Sequence, residues 1–273
     1  MCFSETSKIW NKIVCKVSCL LHEEPILSDF YTNSILKHKN LFHSLSYILA
    51  NKLSTSMISE KKMQSIFNDI YLNNPSILNI VVEDMKAVLK KDPVVTDYFT
   101  PLLYFKGFHA LESYRLSHYL WSMKKTSFSI YLQSRISAVF SVDIHPAACI
   151  GSGVMLDHAT GIVIGEGVII EDDVSIFHSV TLGGTGKNSS KNRHPTIRRG
   201  VIIGAGAKIL GNIEVGLGAK IGAGSIVLKN VPAYVTVVGV PAKIINELDS
   251  KKYSSKEKSN VSYINSFQYG DGI

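Results

Sequence analysis

The chain has 273 residues, a formal net charge of +7 and a hydrophobic content of 45%. This is enough apolar material to form packed cores, which argues against a globally disordered chain. No segment reaches the roughly eighteen consecutive apolar residues of a membrane span, and the N-terminus lacks the pattern of a secretion signal. The basic residues form no stripe interleaved with aromatic residues, so we expect no nucleic-acid partner. These properties favour a cytoplasmic protein of two domains without a membrane partner.

Residues 1–140 predict an all-α domain. Apolar residues recur three and four positions apart, as on one face of an α-helix. Residues 100–121 are interpreted as a single helix with Thr100 as its N-cap. Cys15 and Cys19 are expected to be small buried residues of a reduced protein. The helical spacing is seen in three runs: Ile9, Ile13, Val17, Leu21; Leu41, Leu45, Ile48, Leu49; and Ile77, Val81, Met85, Val88.

From residue 141 onwards the spacing of aliphatic residues changes to six. A period of six fits neither a helix nor a simple strand and is typical of hexapeptide repeats in a parallel β-helix. Three repeats close a triangular coil of ~18 residues, so residues 141–245 predict about five coils. Known hexapeptide solenoids are left-handed, and the predicted fold class is α+β, with an all-α domain before a left-handed parallel β-helix. One series comprises Ile144, Ile150, Leu156, Ile162, Val168, Val174 and Val180; a second, two positions later, comprises Ile164, Ile170, Ile176 and Leu182.

Two segments lie outside this pattern. Between Val180 and Ile197 the period slips, and polar residues, glycine and proline predict a loop outside the coil. Such loops often carry function. After residue 245, a stretch rich in lysine and serine predicts a flexible C-terminal tail at residues 246–273.

The pair Asp157–His158 interrupts the apolar pattern of the coils. Burying either side chain in the core would be costly unless it were paired, so we expect both to face outward. Asp143 lies fifteen residues earlier, close to the length of one coil, and is expected to stack near His158. A carboxylate on one ring nitrogen would fix the tautomer and raise the basicity of the other nitrogen. This pair is our candidate for a general base.

Three further residues provide groups for recognising a zwitterion. Arg193 and His194 lie in the loop, and a planar guanidinium can bind both oxygens of a carboxylate. Asp92, near the end of the helical half, supplies with Asp157 an acid for an ammonium group. With a histidine for a hydroxyl proton, this set matches a hydroxy amino acid. Taken alone, Asp92 also fits a turn residue before Pro93, and Arg193 also fits a solvated loop charge.

Several motifs carry a resemblance to one enzyme family. They are DIHPAACIG, LDHATGIVIGE, SVTLGGTGK, RHP, GAGAKILGNIEVG, AKIGAGS and VVGVPAKI. With the helical half, the chain from about Trp10 to its C-terminus resembles the serine acetyltransferase family. The resemblance implies transfer of acetyl from acetyl-CoA to the hydroxyl of L-serine, the first step of cysteine synthesis. The implied roles are: His158 as general base, Asp143 as its orienting acid, Asp92 and Asp157 at the serine ammonium, and Arg193 and His194 at its carboxylate.

The resemblance also implies acetyl-CoA as a co-substrate, with no permanently bound cofactor and no metal. The pantetheine arm is expected in the groove between neighbouring prisms, as the triangular coils are called below. A backbone N–H near Gly183–Gly184 is our candidate for the oxyanion donor. The residues expected along the groove are Gly184, Thr185, Ala205 and Ala223, with Lys220 or Lys243 at the CoA phosphates.

Partners and an assembly follow from the same resemblance. The family forms trimers through its prisms, with the site between subunits, and its helical domains join two trimers into a homohexamer. Its C-terminal isoleucine, here Ile273, inserts into the active site of O-acetylserine sulfhydrylase, and L-cysteine inhibits by occupying the serine site. Cys149 departs from the family pattern, which commonly has a basic residue there, and His145 and His178 are interpreted as packing residues.

Three other functions are considered for the repeats. The nearest is a hexapeptide acetyltransferase for a sugar or another small hydroxyl acceptor, against which the long helical half and the zwitterion set argue. A metal-binding prism would need three converging histidines, and the spacing of His158, His178 and His194 does not favour it. A non-catalytic scaffold that only presents its tail to the sulfhydrylase is the third.

Overall fold

The computed structural model describes residues 2–186 and 193–247. It divides the chain into two compact units, Met1–Phe140 and Ser141–Ile273. The first unit is helical and the second is a parallel β-solenoid, which confirms the predicted α+β fold class. Among the described helices, none is long and apolar enough to cross a membrane.

The described part of the first unit contains eight α-helices. The side chains of Asn40 and Ser59 cap the third and fourth helices by accepting backbone hydrogen bonds. Pro75 begins the fifth helix, where a backbone N–H has no helical acceptor. The bounds are α1 (Cys2–Glu23), α2 (Ser28–Tyr31), α3 (Leu41–Leu53), α4 (Glu60–Asn73), α5 (Pro75–Lys91), α6 (Phe99–Tyr104), α7 (Lys106–Ser122) and α8 (Thr126–Phe140), with a 3₁₀ turn at Pro25–Leu27 and a π turn at Thr32–Leu36.

Helix α7 forms the centre of the helical core. Every residue from Gly107 to Ser117 is buried, as expected for a helix that is packed on all sides. Polar side chains on such a helix need partners, because an unpaired buried polar group is costly. The hydroxyls of Ser117 and Ser129 each donate to the other residue's carbonyl oxygen, at 2.9 and 2.7 Å. These two bonds join α7 to α8.

The segment at residues 100–121, predicted as one helix, is divided between two helices. Phe105 is extended (φ −83°, ψ 109°) between α6 and α7. At this break the buried imidazole of His109 bonds the carbonyl oxygen of Leu102 at 2.7 Å. Burial lowers the pKa of His109 to about 4, so the ring is neutral and donates to that carbonyl. The bond from His109 thus stabilises the end of α6. The spacing of apolar residues does not reveal that the helix ends there.

Two smaller predictions for the helical unit are wrong. Thr100 is not the N-cap, because α6 already begins at Phe99; its N–H donates to the side chain of Asp97 at 2.8 Å. Cys15 and Cys19 are exposed, since the other side of α1 packs into the core. That packed side comprises Ile9, Trp10, Ile13, Val17 and Leu20.

The second unit forms three sheets around a triangular prism. In the described residues, sheet A has the order β1-β4-β7-β10-β13, sheet B the order β2-β5-β8-β11, and sheet C the order β3-β6-β9-β12-β14-β15. All pairs are parallel except β14 with β15. The bounds are β1 (Val142–Ile144), β2 (Cys149–Ile150), β3 (Met155–Leu156), β4 (Ile162–Ile164), β5 (Ile169–Ile170), β6 (Ser175–Ile176), β7 (Thr181–Gly183), β8 (Thr196–Ile197), β9 (Ile202–Ile203), β10 (Lys208–Leu210), β11 (Glu214–Val215), β12 (Lys220–Ile221), β13 (Ile226–Val227), β14 (Val235–Val238) and β15 (Lys243–Glu247).

Two edges of this prism position the predicted site residues of the solenoid. The C–A edge consists of the stacked corners at 157–161, 177–180, 204–207 and 222–225, each leading from sheet C into sheet A. The A–B edge consists of the corners that follow the strands of sheet A, including the predicted loop. Aliphatic side chains such as Ile164 fill the interior between the edges. Stacked coils pair every strand with its neighbours, so each corner is held at a defined height.

The first coil is longer than the repeat predicts. Ile144 pairs with Ile164, whereas Ile203 pairs with Ile221 in a later coil, so the first coil carries two extra residues. Ile164, Ile170 and Ile176 of the second series therefore stack on Ile144, Ile150 and Leu156 of the first series, because the corner after β3 shifts the register by two residues. This corner contains Asp157 and His158.

The predicted loop is present in the third coil. Ile176 pairs with Ile203 across it, and residues 187–192 of the loop lie outside the described residues. Some of the residues expected in coils lie elsewhere: in the loop, in the longer first corner and in the antiparallel pair β14–β15. The solenoid therefore makes about four turns instead of the expected five.

Candidate active site

The corner after β3 turns His158 out of the prism. The N–H of Asp157 donates to the Ile176 carbonyl at 2.8 Å and still belongs to the ladder. His158 and Ala159 then adopt left-handed backbone conformations, with φ of 53° and 60°. As a result Ala159 is fully buried, while the side chain of His158 is 69% exposed. The polar pair is outward-facing, as predicted from the cost of burying it.

The imidazole of His158 has an acid and a second imidazole beside it. Its Nε2 lies 3.9 Å from Oδ1 of Asp157. Its ring meets the ring of His178 edge-on, with 5.9 Å between the centroids. Nδ1 of His178 is buried and has no hydrogen-bond partner among the described residues.

The sequence interpretation missed the contact with His178, which it treated as a packing residue. The signal was available, because His178 follows His158 by the same interval that separates Leu156 from Ile176, its partner in the next coil. Residues one coil apart stack directly above each other. The interval became meaningful only once the extra residues of the first coil were known.

Asp143 occupies the middle of β1 on the outer face of sheet A. Its neighbours Val142 and Ile144 are buried, so alternation along the strand directs Asp143 outward. The adjacent Ser141 accepts a hydrogen bond from Gly161, which ends the His158 corner, at 2.7 Å. Asp143 is therefore on the coil directly beside that corner. That its carboxylate orients the ring of His158 stays a prediction.

Glycines hold His194 on the A–B edge. Its Nδ1 accepts a hydrogen bond from the N–H of Gly167 at 3.2 Å, which leaves the proton of the neutral ring on Nε2. A Cβ atom at Gly165 would lie 2.5 Å from that Nε2, so only glycine leaves room for the ring. Burial and then the charge of Arg193 lower the pKa of His194, which favours the neutral form.

Arg193 lies where the loop returns to the solenoid, and its side chain is exposed. Its carbonyl oxygen and side-chain stem pack against Gly184, where a Cβ atom would be 3.3 Å from that oxygen. At the base of the loop, Arg193, which is predicted to bind serine, therefore contacts Gly184, which is predicted to bind CoA.

The structure places His158 and the Arg193–His194 pair at opposite ends of one strand. His158 precedes β4, and His194 covers Gly165 immediately after it. A strand of this length spans ~10 Å. Within one prism, the predicted base and the predicted carboxylate clamp therefore lie on different edges.

The residues predicted for CoA divide between the same two edges. Gly184 and Thr185 follow β7 on the A–B edge, whereas Ala205 and Ala223 stack on the C–A edge, where Gly224 donates to Ala205 at 2.8 Å. Lys220 projects from β12 in sheet C. Their binding of CoA stays a prediction.

Two further predicted site residues are not part of the described solenoid. Asp92 follows α5 in the helical unit, and its Oδ1 accepts from the N–H of Val94 at 2.9 Å, which is the turn role considered for it. Its contact with serine stays a prediction. Ile273 lies outside the described residues. Within residues 2–186 and 193–247, no cluster of three or more His, Cys, Asp or Glu side chains is arranged to hold a metal ion.

Comparison with known proteins covers the whole chain. Residues 9–113 match the family model for the N-terminal part of serine acetyltransferase. The chain is 74% identical to serine acetyltransferase of Buchnera aphidicola subsp. Acyrthosiphon pisum, over 100% of both chains. It is 52% identical to the Escherichia coli K12 enzyme, again over 100% of both. The chain belongs to the serine acetyltransferase family. The resemblance inferred from the motifs is confirmed.

Solved serine acetyltransferases share this fold. One, in complex with cysteine, is 54% identical with a TM-score of 0.86, and the match covers 88% of this chain and 100% of that chain. Another, from Brucella abortus strain S19 in complex with coenzyme A, is 46% identical with a TM-score of 0.87, covering 90% of this chain and 98% of that chain.

Proposed function

We propose that this chain transfers the acetyl group of acetyl-CoA to the hydroxyl of L-serine, producing O-acetyl-L-serine and CoA. The observation that carries the proposal is the exposed imidazole of His158, turned out of the prism beside the Asp157 carboxylate. Relatives that are serine acetyltransferases match the chain over its full length.

His158 acts as the general base. The neutral imidazole removes the hydroxyl proton as the serine oxygen bonds to the thioester carbonyl carbon. The tetrahedral intermediate then collapses, the carbon–sulfur bond breaks, and the imidazolium returns the proton to the CoA thiolate. A positioned base contributes ~10²–10⁴-fold to such a reaction, and Asp143 is the carboxylate that orients the ring.

Serine is held at both of its charged ends. Asp92 and Asp157 bind its ammonium group, and Arg193 and His194 bind its carboxylate. An exposed guanidinium beside a neutral imidazole that donates from Nε2 suits two carboxylate oxygens. The developing oxyanion accepts a hydrogen bond from a backbone N–H near Gly183–Gly184.

The site is completed between subunits. Because His158 and His194 lie on different edges of one prism, the C–A edge of one subunit must face the A–B edge of a neighbour. A closed trimer satisfies this at all three contacts, since its interfaces are heterologous. The pantetheine arm of acetyl-CoA lies in the same groove, with Lys220 near the phosphates. The helical domains join two trimers into a hexamer.

L-cysteine inhibits the enzyme from the serine site. Its ammonium and carboxylate match those of serine, and a thiol replaces the hydroxyl with little steric change. A solved relative is a complex with cysteine. The partner of the C-terminal tail is O-acetylserine sulfhydrylase, which captures the free carboxylate of Ile273.

The test is acetyl-CoA consumption by the purified protein with L-serine, L-homoserine, L-threonine and simple sugars. We expect turnover with L-serine and a loss of kcat of ~10²–10⁴-fold in His158→Ala. His22→Ala, which removes an exposed histidine of α1, is the matched control and should retain full activity. Preference for a sugar, or undiminished turnover by His158→Ala, would contradict the proposal.

A further inference from the structure

Lys208 joins two stacked corners of the C–A edge. Its ammonium is partly buried and donates to the carbonyl oxygens of Ser179 at 2.6 Å and Gly206 at 3.0 Å. Ser179 lies in the corner after β6, and Gly206 lies in the corner one coil above. The N–H of Gly206 donates in turn to the carbonyl oxygen of His178 at 2.9 Å. Lys208 and Gly206 together hold two successive carbonyls of the lower corner.

That lower corner supports the corner that carries His158. The N–H of Ser179 donates to the carbonyl oxygen of Thr160 at 2.8 Å, and the N–H of Thr160 donates to that of His158 at 2.8 Å. The ring of His178 lies against the ring of His158. A shift at residues 178–179 would therefore disturb His158 through both its backbone and its ring.

Both corners contain backbone conformations that need such support. His158, Ala159 and Ser179 are left-handed, with φ of 53°, 60° and 59°. Such a conformation is strained for a non-glycine residue and persists only where the surroundings determine it. The ammonium of Lys208 supplies a charge-assisted hydrogen bond, which is stronger than a neutral one, directly at Ser179.

We propose that Lys208 is a positioning residue for acetyl transfer, which locks the corner at residues 178–179 and thereby holds the His158 ring in its reactive orientation. The inference rests on the proposed role of His158 as the general base. A misplacement of about 1 Å can cost ~10²-fold in rate. The effect falls mainly on kcat, because Asp92, Arg193 and His194 belong to other segments. Asp157 shares the corner with His158, but its N–H stays bonded to the Ile176 carbonyl in the ladder.

Steady-state kinetics of Lys208→Met test the proposal. We expect kcat to fall about tenfold or more, while the KM for L-serine stays within about twofold of the wild-type value. Lys208→Arg keeps donors for both carbonyls and should recover most of kcat. Lys229→Met removes an exposed lysine of the same domain and is the control, with wild-type kcat expected. Wild-type kcat in Lys208→Met would overturn the inference.

Crystal structures of the wild type and Lys208→Met separate this inference from the proposed function. We expect the rings of His158 and His178 to move in the variant, and unchanged rings would overturn the role of Lys208 whatever substrate the enzyme takes. An inactive wild type would overturn the proposed function, and the ring positions in the two structures would still test whether Lys208 holds His158 in place. If Lys208→Met does not fold, Lys208→Gln removes the charge with less loss of polarity and is measured in the same two ways.

Discussion

The charge on Glu112 is determined by the side chains around it in the helical core. The side chains of Glu112 and Asp84 are 0% exposed, and that of Arg115 is 5% exposed. Arg115 donates to Asp84 at 2.8 Å through Nε, which is 3.6 Å from Glu112. Burial, and then the nearby Asp84 carboxylate, raise the pKa of Glu112 well above its ordinary value, despite the opposing charge of Arg115. These surroundings favour the protonated form of Glu112 in the folded protein.

A pKa of Glu112 that is raised by folding makes stability depend on pH. The unfolded chain releases the proton of Glu112 near the ordinary glutamate pKa of ~4.3. Above that pH the folded state binds more protons, so the free energy of unfolding falls as pH rises, until Glu112 titrates in the folded protein. Glu112→Gln resembles the protonated acid and does not titrate. We expect the Tm of Glu112→Gln to rise relative to the wild-type Tm by several degrees between pH 5 and pH 8. Each kcal/mol of difference in the free energy of unfolding corresponds to roughly 2–8 °C.

The matched control is Glu23→Gln, which removes an exposed carboxylate at the end of α1. Its Tm should follow the wild-type Tm across the same range. Thermal unfolding followed by circular dichroism measures all three proteins. A constant difference between Glu112→Gln and the wild type would show that Glu112 is ionised when folded.

At the scale of elements, the corner between β4 and β5 forms a cradle for His194. Gly165→Ala would place a methyl group 2.5 Å from the ring at Cδ2 and Nε2, so the imidazole must leave its position. We expect the KM for L-serine to rise about tenfold, equivalent to ~1.4 kcal/mol of binding, because His194 is proposed to bind the carboxylate.

A double-mutant cycle distinguishes this effect from a general distortion of the coil. If Gly165→Ala acts only by displacing the ring, it should add nothing to the KM increase of His194→Ala. Additive increases in KM would show that the methyl group acts through another part of the site.

Periodicity predicts the elements of this protein better than their interruptions. The solenoid was predictable because only an aliphatic side chain such as Ile164 fits inside the prism, and this need repeats with every strand. The two extra residues in the first coil were not predictable, because both series of aliphatic residues satisfy the same period of six. The contact of His158 with His178 depends on that register and was missed with it. The break at Phe105 depends on His109, whose bond to Leu102 is tertiary and leaves no periodic trace.

At the scale of the whole molecule, a single prism does not place the proposed groups together. His158 lies on the C–A edge, whereas Arg193 and His194 lie on the A–B edge, at the other end of β4. All three residues were predicted from their chemistry and motifs. Their positions on different edges could not be predicted without the register of the coils. We therefore propose that each site is formed by two copies of the chain, each contributing one edge.

Mixed oligomers test this claim most directly. His158→Ala and Arg193→Ala are each expected to be nearly inactive, and equal amounts are unfolded, mixed and refolded before acetyl transfer is measured. If neighbouring subunits share each site, random assembly leaves about one quarter of the sites with both an intact His158 and an intact Arg193. We therefore expect recovery of about one quarter of wild-type kcat. Wild-type protein refolded in the same way is the control and should regain full activity. If it does, activity of the mixture no higher than that of the separate variants would contradict a site shared between subunits.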